Sequence, residues 1–300
     1  MANKMSTNLS YPPLELINLT YNYRSAWSGK LNPVLNNINL TIFESEAFGF
    51  LGQNGAGKTT TIKCILDLNK PKSGCIKIFG TDSRQTSARI SVGYLPEQPY
   101  WYDHLTVEST MRFYADLYDI DSDKQSNLIT DTLDKVGILE RRKATIRSLS
   151  KGLTQRLGLA TTIIHNPKLI LLDEPFSGLD PVGRKDFRDI FLDLKAKGTS
   201  IFMSSHILDD VSQICDRASI LKNGSIAKII DLKSDTSNIN RVDFYEITYS
   251  ANNQNITKQF ESYQEASEEL KRLINSNVQI ISFIPSLKSL EKIFIDTVKK

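Results

Sequence analysis

Residues 52–59 read Gly52-Gln53-Asn54-Gly55-Ala56-Gly57-Lys58-Thr59. Glycines at the two ends of this spacing, followed by Lys-Thr, form a pattern that can hold a polyphosphate. The glycines let the backbone turn tightly enough to aim several N–H groups at phosphate oxygens. Lys58 adds a charge that can reach β- and γ-phosphates, and Thr59 offers a hydroxyl to Mg²⁺. A helix beginning at Gly57 or Lys58 would put the positive end of its dipole under the phosphates. These residues predict a nucleoside triphosphate site.

A second chemical feature lies far away in the chain. Leu169-Ile170-Leu171-Leu172 runs into Asp173-Glu174-Pro175. Four aliphatic residues in a row suit a strand buried on both faces of a parallel sheet. Ligands of such sheets bind beyond the carboxyl ends of the strands, where the two carboxylates fall. Adjacent strand residues point to opposite sides, so the two acids can differ in role. Asp173 suits the shell of Mg²⁺, and Glu174 suits a general base acting on water. Alone, the run could equally end in a solvated acidic turn. Thr199 to Ser204 is another buried run and leads directly into Ser205-His206, which brings a histidine to the same sheet edge. Upstream, Ser150 and Gly152 begin a segment whose helical pattern is clear from Leu157 to Ile164. A serine and a glycine at a helix start make an anion-binding end. One such loop already serves a single nucleotide, so this second end makes sense facing a nucleotide held by another copy.

The elements needed to position these groups are legible. Ala47 to Leu51 reads as a buried strand before the glycine loop. Ile62, Ile65 and Leu66 share one face of a helix after it. Ile38 to Ile42 alternates as a one-sided strand does, and Cys75 to Phe79 is a shorter run of the same kind. Gly183 to Lys197 reads as an amphipathic helix stopped by Gly198. Residues 101 to about 165 are mainly helical. Their apolar stripe, including Met111, Tyr114 and Leu133, reads as core. Beyond residue 230 the pattern changes. Asp231 to Asn240 is polar and reads as a linker. Val242–Tyr249 and Val278–Pro285 read as strands, Tyr263–Asn275 as a charged amphipathic helix, and Leu287–Val298 as a last helix.

In this order and spacing the motifs resemble the ATP-binding subunit of an ABC transporter, over roughly residues 14 to 230. Gly52–Thr60, thus including Thr60, resembles the Walker A stretch, and Leu169–Glu174 resembles Walker B with its catalytic glutamate. Leu149–Leu153 resembles the signature sequence, Ser177–Asp180 the D-loop with Asp180, and His206 the switch histidine. The resemblance implies a head-to-tail dimer in which each ATP lies between one subunit's Walker A and the other's Ser150, Lys151 and Gly152. It places Tyr23 as the adenine-stacking aromatic; an ordinary strand tyrosine is the alternative. It also implies a permease subunit in the membrane, touched by the helical part, with Trp101 and Tyr102 as candidate contacts. The subunit would then sit peripherally on the cytoplasmic face.

Two departures stand out. Lys151 replaces a glycine of the usual signature, and the form followed by Gln155-Arg156 resembles exporters whose membrane part is a separate chain. In the Q-loop region, Glu97 follows Pro96 where glutamine is usual, and Gln98 comes next, leaving either to reach the metal and water.

The expected fold is α/β: a P-loop NTPase core of mainly parallel sheet, with an N-terminal antiparallel β part, an inserted helical subdomain (about 101–165) and a small C-terminal α+β appendage. The corresponding domains are 14–230 and 231–300. The cofactors expected are ATP and Mg²⁺, and the partners are a permease and a second ATP-binding subunit. A formal charge of +3, from 37 basic and 34 acidic residues mixed along the chain, gives no argument for nucleic acid. Cys64, Cys75 and Cys215 fit neither a disulfide framework nor a zinc site, and a reducing cytosol is expected. No apolar run is long enough to span a bilayer, and residues 1–10 carry no signal-peptide stretch. A soluble regulator of the same superfamily is the main rival. Chains of that kind carry two nucleotide domains or a long coiled coil, and neither is found here. A GTPase would need an Asn-Lys-x-Asp motif and a nucleotide kinase would need an acceptor lid. Neither is found, and both would leave Ser150–Gly152 unexplained.

Overall fold

The computed structural model describes residues 11–24, 29–233, 242–251, 254–276 and 278–287, with residues 294 and 297. In chain order its elements are β1 (Leu14–Arg24), β2 (Leu31–Ile42), β3 (Ala47–Gly52), α1 (Lys58–Ile65), β4 (Ser73–Ile78), β5 (Thr81–Asp82), α2 (Thr86–Arg89), β6 (Val92–Leu95), α3 (Val107–Leu117), α4 (Ser122–Lys135), α5 (Lys151–Ile163), β7 (Leu169–Asp173), α6 (Pro181–Ala196), β8 (Ser200–Ser205), α7 (Leu208–Ile214), β9 (Arg217–Lys222) and β10 (Ser225–Asp231). After these come β11 (Val242–Ala251), β12 (Gln254–Phe260), α8 (Tyr263–Asn275) and β13 (Gln279–Leu287). The chain divides into two units, residues 1–230 and 231–300.

Every residue of β3, β7 and β8 is buried. Strands without a polar face must be covered on both sides. Accordingly, they lie inside a six-stranded sheet of order β10-β9-β3-β8-β7-β6. The pairs β3–β8, β3–β9, β7–β8 and β6–β7 are all parallel. In a parallel sheet the carboxyl ends share one edge, which brings Gly52, Asp173 and Ser205 to the same side. A second sheet of order β2-β1-β4-β5 is antiparallel in each of its pairs. Helix α1 is held between the two sheets. Its Ile62, Cys64 and Ile65 pack in one cluster with Leu14 and Leu35 on one side and Phe48, Phe50, Leu171 and Phe202 on the other.

The helical part has ordinary reasons for its shape. Thr106 and Ser109 form a reciprocal capping box at the start of α3. Val107, Met111 and Ala115 make its buried face. Tyr118 stacks on His165 with ring centroids 3.6 Å apart and an interplanar angle of 5°. On the other face of the six-stranded sheet, Phe187 and Phe191 of α6 meet Phe176 edge-on or tilted.

In the second unit, β12-β11-β13 form an antiparallel sheet. Ile247, Tyr249, Ala266 and Leu273 form its small core with α8.

Several boundaries differ from the sequence reading. Helix α5 begins at Lys151, well before the clear pattern at Leu157, because Ser150 caps it by accepting from the Leu153 N–H. Helix α6 begins at Pro181 rather than Gly183, with Asp180 as its cap and proline in the first turn. Trp27 lies outside the described residues. So do residues 234–240 of the expected linker and most of the expected last helix, whose first residue, Leu287, ends β13 instead.

Candidate active site

Strand β3 delivers Gly52 to the sheet edge, and the chain turns there, with the Ala56 N–H donating to the Gln53 carbonyl at 3.1 Å. Gly57 has φ +112°, and a Cβ on it would stand 2.7 Å from Leu35 Cδ2 and 3.2 Å from the Val34 carbonyl. Only glycine fits this left-handed, crowded position. No side chain caps α1. Its first-turn N–H groups, on Lys58, Thr59 and Thr60, therefore point out of the helix with no intrahelical acceptor. The ladder starts at Thr61, whose N–H and hydroxyl both donate to the Gly57 carbonyl, at 2.9 and 3.0 Å.

Lys58 is only 6% exposed. Its Nζ donates to the Gly52 carbonyl at 2.7 Å and lies 3.2 Å from Glu174 Oε1. That oxygen is buried and forms an ion pair with Lys58 without a hydrogen bond of normal geometry. The other oxygen, Oε2, is 2.8 Å from His206 Nδ1. One carboxylate thus bridges the loop lysine and the histidine, three residues from three separate segments.

Glu174 leaves the end of β7 in a left-handed conformation, φ +47°, uncommon for a residue with a Cβ. Its N–H is shared between the carbonyl and the hydroxyl of Ser204, each at 3.2 Å. The Ser204 hydroxyl in turn donates to Asp173 Oδ1 at 2.5 Å. Asp173 is 2% exposed. Burial, with the charge of Asp173 adding to it, pushes the Tyr94 hydroxyl up to about 12.

Gln53, Asn54, Gly55, Gly57, Lys58, Thr59, Thr60, Glu97, Glu174 and His206 line one cleft of about 340 Å³. Of the two Q-loop candidates, Glu97 lines this cleft, and Gln98 is exposed outside it. Gly52 lies beneath, joined through its carbonyl, and Ala56 is half-buried at the turn. Tyr23 is 59% exposed on β1 and does not line the cleft. Ser150, Lys151 and Gly152 also stand outside it, at the start of α5. Asp180 serves as a helix cap, accepting from the Gly183 N–H at 2.8 Å.

The donor set fits an anionic polyphosphate: unshared helix N–H groups, a buried ammonium and a tight glycine turn. Glu174 Oε1, buried against Lys58, shows that this ammonium accommodates an anionic oxygen. Thr59 and Asp173 supply the hard oxygen donors that suit Mg²⁺. Among the described residues no group of three or more His, Cys, Asp or Glu side chains would hold a metal by itself. A site of that kind is completed by oxygens of the bound phosphates.

Sequence reasoning missed Ser204, which orients both acids, and Gln155, which is 1% exposed and donates to the Pro175 carbonyl at 3.0 Å. It also missed Asp210 on α7. Desolvation raises its pKa, and Arg184 lies 3.6 Å away. Both line a smaller adjoining cavity with Glu174, Ser177 and His206. The register pairing Asp173 with Ser204 is the signal that finds the serine, and it exists only in the folded sheet.

Residues 35–177 match the family model described as ABC transporter. A relative from a Nostoc species, an ABC transporter ATP-binding protein, is 42% identical over 207 residues, which is 68% of this chain and 62% of that protein. YdbJ of Bacillus subtilis, an ABC transporter ATP-binding protein, is 33% identical over 279 residues, 87% of this chain and 89% of its own length. The chain belongs to the ABC transporter ATP-binding family. BcrA of Bacillus licheniformis, a bacitracin transport ATP-binding protein, is 37% identical over 199 residues, 65% of this chain and 64% of BcrA. A solved ATP-binding subunit of an ABC transporter superposes with TM-score 0.67 at 30% identity, covering 75% of this chain and 92% of that one. The match therefore spans less than two thirds of the Nostoc relative and of BcrA, and nearly all of YdbJ. The α/β architecture of the first unit is that of an ABC ATP-binding subunit.

Proposed function

We propose that this chain is the ATP-hydrolysing subunit of an ABC transporter that moves its substrate outward through separate membrane-spanning subunits. The bridge Lys58–Glu174–His206 at the mouth of the glycine loop carries the reading. It sets a candidate base, a phosphate-binding cation and a candidate phosphate sensor within contact of one another.

The roles follow from chemistry. The N–H groups of Lys58, Thr59 and Thr60, together with the Lys58 ammonium, bind β- and γ-phosphates in a fixed, partly dry cradle. Mg²⁺, held by Thr59 and Asp173, would neutralise charge on those phosphates. Glu174 turns its carboxylate from Lys58 to an attacking water and accepts its proton. His206 keeps Glu174 oriented and meets the γ-phosphate. Tyr23 offers its exposed ring to adenine, and Glu97 closes the cleft from the Q-loop side. Ser150 and Gly152, with Lys151 between them, meet the nucleotide of a second copy, as Asp180 and its loop approach the same interface. Closure and reopening of that dimer is the work-producing step, because the nucleotide binds the closed state better.

No helix among the described residues is long and apolar enough to cross a membrane. A groove of about 420 Å³ lined by Leu66, Leu68, Tyr100, Trp101, Tyr114 and Tyr118 offers an apolar seat for the permease. Tyr102, 70% exposed, stands next to it in the chain. The subunit would sit on the cytoplasmic face through that contact. The exporter-like Ser150-Lys151-Gly152 form supports the outward direction.

Replacing Glu174 by Gln tests the chemistry. Binding of ATP should persist while steady-state turnover falls by about 10²- to 10⁴-fold. Near-normal turnover would remove Glu174 from the role of base.

A further inference from the structure

The first five residues of α5 approach the chain's own segment between Pro175 and Leu179 at three points. The side chain of Lys151 lies along Gly178: a Cβ added there would come within 2.5 Å of Lys151 Cδ and Cε and 2.9 Å of its Cγ. Gly178, at φ +76°, is a position where glycine is needed twice, for its backbone and for this contact. A Cβ on Gly152 would touch Leu179 Cδ2 at 3.8 Å and the Gly178 carbonyl at 3.9 Å. Gln155 donates to the Pro175 carbonyl from a fully buried position.

The segment these contacts hold has little freedom. It starts at Glu174, whose N–H is fixed by Ser204. The Ser177 N–H donates to the Glu174 carbonyl at 3.0 Å, and the Leu179 N–H to that of Phe176 at 3.2 Å. It ends at Asp180, pinned as the cap of α6. A shift at Glu174 therefore has few ways to be absorbed before it reaches α5. Packed contacts of this kind transmit a two-position change where flexible links dissipate it.

We infer that Lys151 is a positioning residue whose methylene stem straps the start of α5 to the loop after Glu174, so that nucleotide in a subunit's own cleft sets the placement of the Ser150 and Gly152 it presents to a second copy. The inference rests on the proposed ATP site and deepens it. A lysine stem can cover a glycine Cα while its ammonium stays in water. A glycine at position 151 has no atoms to do so.

The test is hydrogen exchange on the full chain, held at concentrations where light scattering reports a monomer, with Mg²⁺ and a non-hydrolysable ATP analogue. In the unaltered chain the analogue should protect residues 52–60 and change exchange across residues 149–155 by about fivefold or more. Lys151→Met keeps the stem and should keep that distant response. Lys151→Gly should lose it while retaining protection of residues 52–60. An undiminished response in Lys151→Gly overturns the strap. So does equal loss in Lys151→Met, which would assign the effect to charge. Absence of protection at residues 52–60 in the unaltered chain is a separate failure: it overturns the nucleotide site and the strap with it.

Discussion

Glu174 concentrates the account at the scale of a residue. Its carboxylate is shared between Lys58 and His206, and its backbone is bent into a left-handed turn by the hydroxyl and carbonyl of Ser204. The Lys58 ammonium has the Glu174 carboxylate and the Gly52 and Gln53 carbonyls as its partners. Substituting Lys58 by Ala removes a charged donor from the phosphate site and leaves a buried carboxylate with less compensation. MgATP affinity should fall about 10- to 150-fold, the range for a hydrogen bond to a charged group, as read by titration calorimetry. Unchanged affinity would show that the loop N–H groups suffice. The glycine-lysine stretch was legible in the sequence because every part of it is contiguous. The pairing of Asp173 with Ser204 was not, because 31 positions separate them and only the parallel register joins them. The choice between Glu97 and Gln98 was also invisible, since neighbouring loop residues differ only in direction.

At the scale of elements, strands without polar faces were the easiest to read. Strand β8 carries Phe202 between Phe48, stacked at 6.4 Å, and Phe50, tilted at 5.2 Å. Phe202→Ala should destabilise the first unit by about 3–5 kcal/mol, measured by chemical denaturation; a loss below about 1 kcal/mol would mean the aromatic layer collapses into the gap. The start of α5 was harder, because Gly152 and the polar run Thr154-Gln155-Arg156 blur the apolar period that announces a helix. The Ser150 cap and the contacts to Pro175 and Gly178 override that weak propensity. The junction of α5 with β7 holds a pH-sensitive group. Burial lowers the pKa of His165 to about 4, opposed only weakly by the Val92 backbone, and its ring nitrogens make no hydrogen bond of normal geometry. The unfolded chain binds this proton from about pH 6.5 downward and the folded chain only near pH 4. Stability should therefore fall as pH drops through that window. His165→Phe should flatten this part of the denaturation midpoint against pH; an unaltered slope would locate the dependence elsewhere.

At the scale of the molecule, the cleft holds the glycine loop, Glu174 and His206, while Ser150 to Gly152 stand apart from it in the same chain. That separation is what the proposed pairing with a second ATP-binding subunit would bridge. The groove beside Trp101 is the proposed seat of a membrane partner. The decisive measurement is affinity purification of Glu174→Gln with MgATP from detergent-solubilised membranes of the organism that encodes it, with mass spectrometry of what accompanies it. The account predicts a polytopic membrane protein in stoichiometric amount. Only soluble partners, or ribosomes, would contradict it.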